Sequence, residues 1–177
     1  MKFLQHNQKK FFINSCGFTM VETVMYVALI SLAIGSFIGF GSHISDLRAK
    51  VTVFQDVELN GRNIFSQIDH YTKKADNVFS PMPGDAAQNS LELDMPEADP
   101  DIVFYESNGD VYLTEGAGSP IKLNSDGVEV VGLLFENSSQ VGKKDVVEIE
   151  LNLKYRYDYT TAYQYENQFK GTIALRY

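Results

Sequence analysis

Cysteine is almost missing from this sequence, with Cys16 the single instance in 177 residues. No disulfide can close within the chain, and cysteine usage says nothing about its redox compartment. Histidine is scarce as well: His6, His43 and His70 stand far apart and lack the short ligand spacings of a zinc site. No proline precedes Pro81, so nothing before that point forbids a helix. Basic charge is thin outside one end. Residues 1–17 hold Lys2, Lys9 and Lys10 and no acid, and the remainder sets 12 basic against 23 acidic side chains, a net of −11. A body so acidic repels a phosphate backbone, and no nucleic-acid partner is expected. Signature motifs of catalysis are missing too: there is no G-x-S-x-G, no P-loop and no H-E-x-x-H. A structural protein without a cofactor is expected. With 44% hydrophobic and 21% charged residues, the chain has the composition of a folded domain plus an appendage.

What is present begins with a hydrophobic run. Thr23 to Gly41 is 19 residues without a charge, which as a helix spans about 28 Å, close to the roughly 30 Å hydrocarbon core. The lysines before it and the acidic body after it predict a cytoplasmic N-terminus and a single crossing. Beyond the run the helical period continues. Leu47, Val51, Phe54, Val57, Gly61, Phe65, Ile68, Thr72 and Ala75 recur at steps of three or four, with charged residues between them. One long helix is expected, bending or fraying near Gly35, Gly39 and Gly41, and stopped by Pro81 and Pro83.

Everything after residue 80 reads as β. Ile102–Tyr105 and Val111–Thr114 flank Asn108-Gly109, a strong hairpin signal. Val128–Phe135 is apolar on both parities and predicts a central strand covered on both faces. Val147 to Tyr159 alternates with period two, and Tyr163 to Tyr177 repeats that parity, predicting a long C-terminal hairpin turned near Thr160–Ala162. The fold class is α+β, with a long N-terminal helix on one antiparallel sheet. Its parts are a basic leader (1–17), a transmembrane helix (18–43), an amphipathic continuation (44–79) and a β domain (80–177).

The boundary between leader and span reads Cys16-Gly17-Phe18-Thr19-Met20-Val21-Glu22. Glycine at residue 17 has no Cβ and lets a protease approach the backbone closely. Glu22 is the only charged side chain between Lys10 and His43, and an acid inside an apolar helix calls for a partner. These residues resemble the prepilin motif shared by type IV pilins and the pseudopilins of type II secretion and competence. The resemblance implies a pilin-like fold, cleavage after Gly17 by a prepilin peptidase, and N-methylation of Phe18 as the new N-terminus. It further implies an assembly charge pair between Glu22 and the Phe18 amine of a neighbouring pilin or pseudopilin. Location follows: the inner membrane, then a pilus or pseudopilus. The order of elements and the lack of a C-terminal disulfide are similar to the J-class minor pseudopilins and W-type minor pilins, which implies a minor subunit. A tethered adhesion domain that uses the prepilin pathway without polymerising is the alternative. An ordinary secretory signal, cut near Gly39-Phe40-Gly41, fits less well, because Glu22 would lie within its hydrophobic region. Cys16 precedes the hydrophobic run, unlike a lipoprotein cysteine, and leaves with the leader.

Other clusters take plainer readings. Asp94, Glu97, Asp99 and Asp101 crowd one loop, but it lacks the glycine of a calcium-binding EF-hand and holds two prolines, so a solvated loop is expected. The tyrosines from Tyr155 to Tyr165 share the parity of Ile149, Leu151 and Leu153 and are expected to pack rather than bind sugar. Lys143 and Lys144 read as a solvated turn.

Overall fold

The computed structural model describes residues 17–96, 99–139, 145–157 and 164–176. Two compact units divide the chain, Met1–Ser45 and Asp46–Tyr177. Helix α1 (Met20–Thr72) contributes to both.

In the first unit α1 is the sole element among the described residues, and it continues through Gly35, Gly39 and Gly41 without a break. The fraying expected there is not seen. Ser31, Ser36, Ser42 and Ser45 each donate a hydroxyl to the carbonyl four residues back, at 2.7–3.1 Å. Those bonds satisfy the hydroxyls inside the helix itself, as an apolar medium demands. An 18-residue stretch of α1 has a mean hydropathy of 2.0 with none of it buried. A core helix of a soluble domain would be covered. By length and composition this one is a candidate membrane span, compatible with a single-pass membrane protein.

In the second unit the strands form two antiparallel sheets rather than the single sheet expected. The first is a meander of β1 (Asn77–Ser80), β2 (Ser90–Asp94), β3 (Ile102–Ser107), β4 (Asp110–Glu115) and β5 (Ile121–Lys122), ordered as in sequence. The second is β6 (Val128–Asn137), β7 (Val146–Tyr155) and β8 (Glu166–Ala174). Asn108 and Gly109 both have positive φ, 55° and 77°, which gives the two-residue hairpin turn the sequence announces. Their inner faces and the C-terminal part of α1 share one core. Val57, Ile64 and Ile68 from the helix meet Leu91, Phe104, Val111, Phe135, Leu151 and Leu153 from the sheets.

The helix end, the place of β6 and the start of the buried helix face differ from expectation. Helix α1 stops at Thr72, before Pro81 acts, because Lys74 and Ala75 both donate to the Tyr71 carbonyl at 3.0 Å and tighten the last turn. Asp76 N–H then bonds the Asp94 carbonyl at 2.9 Å, and residues 77–80 enter the sheet instead of extending the helix. Strand β6 is an edge strand with one buried face, not a central one covered twice: Val128, Val130, Leu133 and Phe135 are buried, while Val131 and Leu134 are exposed. A bulge between Val130 and Gly132 switches the parity, and that switch made both parities look apolar. The helix stripe holds from Val57 on, where Val57, Gly61, Ile68, Thr72 and Ala75 are buried as expected, joined by Val53 and Ile64, whereas Leu47, Val51 and Phe54 are largely exposed.

Helix and second sheet interlock through two glycines. The Phe169 ring of β8 lies on Gly61, the Phe65 ring of α1 lies on Gly171, and the two rings are 6.3 Å apart. The sheets are tied to each other by a polar cluster. Asp110 accepts from Asn124 Nδ2 (2.9 Å) and Arg156 Nη2 (2.6 Å) and pairs with Lys122 Nζ (3.1 Å). Asn124 is itself buried; its Oδ1 accepts from Val111 N–H (2.9 Å) and its Nδ2 donates to the Val128 carbonyl (2.7 Å). Burial alone would raise the Asp110 pKa, but the hydrogen bonds from Asn124, Lys122 and Arg156 outweigh it and hold the carboxyl below its usual range.

Candidate assembly site

Gly17 and Phe18 precede the helix in extended or irregular backbone, and both are exposed. A Cβ built on Gly17 would meet nothing within 4 Å. Among the described residues, packing therefore makes no demand for glycine at this position. Thr19 is the N-cap of α1: its carbonyl accepts the first helical bond from Thr23 N–H (3.1 Å) and its Oγ1 accepts from Glu22 N–H (3.3 Å). Thr23 in turn donates its hydroxyl to the Met20 carbonyl (2.8 Å). Glu22 thus stands in the first helical turn, where the free N–H groups and the helix dipole favour a negative charge.

Tyr26 lies one turn further on. Its hydroxyl donates to Glu22 Oε1 at 3.3 Å, and its ring meets the Phe18 ring edge-on, with centroids 6.0 Å apart and planes at 80°. Phe18, Thr19, Glu22 and Tyr26 consequently form one small cluster at the mouth of an exposed apolar helix. The sequence reading singled out Gly17, Phe18 and Glu22 but passed over Thr19 and Tyr26. Thr19-x-x-Glu22 has the spacing of a capping box, and Glu22-x-x-x-Tyr26 is an i,i+4 pair, so both signals were available.

Elsewhere the candidate residues are dispersed. Lys2, Lys9, Lys10 and Cys16 lie outside the described residues, as do Glu97, Lys143, Lys144, Tyr159, Tyr163, Tyr177 and the turn at 160–162. In the acidic loop, Asp101 Oδ1 accepts from Met95 N–H (3.3 Å) and Asp94 Oδ2 from Asn77 Nδ2 (3.3 Å). Among the described residues no three His, Cys, Asp or Glu side chains come together to hold a metal ion. Tyr155 and Tyr165 pack against the core, with the Tyr165 ring 5.0 Å from that of Phe54. Tyr157 departs from the expected parity. Strand β7 ends at Tyr155, and Tyr157 is exposed, edge-on to Tyr155 at 6.0 Å.

Comparison with family models, with curated proteins and with solved structures finds no match for this chain.

Proposed function

We propose that this chain is a minor pilin or pseudopilin subunit, cut after Gly17 and assembled through its N-terminal helix into a type IV pilus-like or type II secretion filament. The observation that carries the reading is the pairing of an unconstrained Gly17-Phe18 bond with Glu22, the one acid set at the mouth of an exposed apolar helix. Since no packing among the described residues requires glycine at residue 17, a protease reading the backbone supplies a reason for it. An acid in an apolar medium needs a cation, and the amine freed on Phe18 of a neighbour provides one. N-methylation of that amine keeps its charge, so the attraction persists. The partners are then a prepilin peptidase and methyltransferase, sister pilins or pseudopilins, and the membrane, with the C-terminal unit outside the cytoplasm. The role is structural and not enzymatic. A minor rank is favoured because no cysteine follows Gly17 to form a C-terminal disulfide.

Glu22→Ala tests the assembly step. Cleavage after Gly17 and folding of the second unit should match wild type while the chain disappears from sheared filaments. Normal filament incorporation of the variant would refute the charge pair, and a tethered domain that never enters filaments would show no difference between the two.

A further inference from the structure

The cluster at the start of α1 holds Glu22 in a particular direction, and that direction bears on which amine it can reach. In a reciprocal capping box the glutamate at this position folds back onto the N–H of the N-cap residue. Here only half of the box is made. Thr19 Oγ1 accepts from Glu22 N–H, but among the described residues the Glu22 carboxylate does not return the bond to Thr19 N–H. Its Oε1 accepts instead from the Tyr26 hydroxyl, one turn further along the helix. Tyr26 is held in turn by its edge contact with Phe18, so one side chain touches both the residue that would carry the new amine and the acid that would receive it. Among the described residues Oε2 accepts no hydrogen bond and is left for a cation.

We infer that Tyr26 is a positioning residue: its hydroxyl draws the Glu22 carboxylate away from its own chain's amino end and presents the second oxygen to the amine of a neighbouring subunit. This rests on the charge-pair reading of Glu22 given above. The physical basis is competition. A flexible glutamate three residues into a helix has two nearby donors, the backbone N–H groups at its own N-terminus and the phenol one turn on. In an apolar medium it does not stay unbonded. Occupancy of Oε1 by the phenol removes the intrachain alternative while leaving the negative charge in place. Phenylalanine at the same position keeps the ring and its contact with Phe18 but lets the carboxylate fold back.

The test uses the full chain in cells that process and assemble it, comparing wild type, Tyr26→Phe and Glu22→Ala. It also follows the carboxyl carbon signal of Glu22 in the cleaved, 13C-glutamate-labelled chain in detergent micelles, assigned by its loss in Glu22→Gln. Tyr26→Phe should be cut after Gly17 as efficiently as wild type. Its share of the sheared filament fraction should fall roughly three- to tenfold, the range a single hydrogen bond covers, and the Glu22 signal should move. A wild-type filament share for Tyr26→Phe, or an unmoved Glu22 signal, with Glu22→Ala still excluded from filaments, would overturn the role of Tyr26 alone. Normal assembly of Glu22→Ala would overturn both this role and the charge pair it serves.

Discussion

Replacing Gly61 by alanine reads out directly whether α1 is pressed against β8. In a solvent-facing helix this change stabilises by about 1 kcal/mol, because glycine has the poorer helix propensity. At residue 61 the new Cβ would lie 2.3, 2.4 and 2.7 Å from Cζ, Cε2 and Cε1 of Phe169. Carbon atoms pack at about 3.5–4.0 Å, so the ring must withdraw by more than 1 Å. It cannot do so freely, since Phe65 lies beside it and fills the hollow over Gly171. Overpacking of this kind costs about 1–3 kcal/mol, which outweighs the propensity gain and leaves Gly61→Ala destabilised by about 1 kcal/mol. The sign should reverse once the ring is removed. In a Phe169→Ala background, Gly61→Ala refills vacated space and should stabilise by about 1 kcal/mol, giving a coupling of about 2 kcal/mol across the pair. Thermal unfolding of the full chain in micelles, followed through the near-ultraviolet signal of its tyrosines, measures this as shifts of roughly 3–5 °C in opposite directions. A rise in Tm for Gly61→Ala in the wild-type background would refute the interlock of helix and sheet.

Asp110→Asn should destabilise the second unit by about 1–3 kcal/mol, because it leaves Arg156 partly buried without its anion and Lys122 with Asp126 alone. The pH dependence has a definite sign: the folded pKa of Asp110 is depressed, so its contribution is complete above the unfolded carboxylate value of about 3.9 and vanishes as pH falls through the folded value. Wild type and Asp110→Asn should therefore converge in denaturant midpoint below about pH 4, and a constant difference down to pH 2 would contradict the assignment. Gly109→Ala should cost about 1–2 kcal/mol, since residue 109 holds φ of 77° and a Cβ there would lie 2.9 Å from Glu129 Cγ. An unchanged Tm would show that the turn relaxes to another type.

How far this architecture could be read from sequence depends on whether the deciding interaction was local. The Asn108-Gly109 turn and the alternation of Val147 to Tyr155 are local signals, and both elements appear where expected. The helix was legible in kind and, from Val57 on, in face, but not in where the buried face begins or the helix ends. Val57, Gly61, Ile68, Thr72 and Ala75 are buried as their period announces, but only packing on the sheets shows that the stripe begins at Val53 and leaves Leu47, Val51 and Phe54 exposed. Its end at Thr72 goes with the tightened turn on the Tyr71 carbonyl and with Asp76 reaching Asp94, eighteen residues later in the chain. The division into two sheets was likewise invisible. The cluster that ties the sheets together joins Asp110 and Asn124 to Arg156, which lies 46 residues after Asp110, and no local pattern announces it. At the candidate site, Gly17, Phe18 and Glu22 were legible because the motif is contiguous. Thr19 and Tyr26 were overlooked because threonine and tyrosine in an apolar run ordinarily attract no functional reading.

The central claim concerns one peptide bond, and the intact mass of the chain recovered from its native envelope tests it most directly. The account predicts a chain that begins at Phe18 and carries one added methyl group. A chain that begins after residue 41, or one that keeps residues 1–17 in the assembled state, would contradict it.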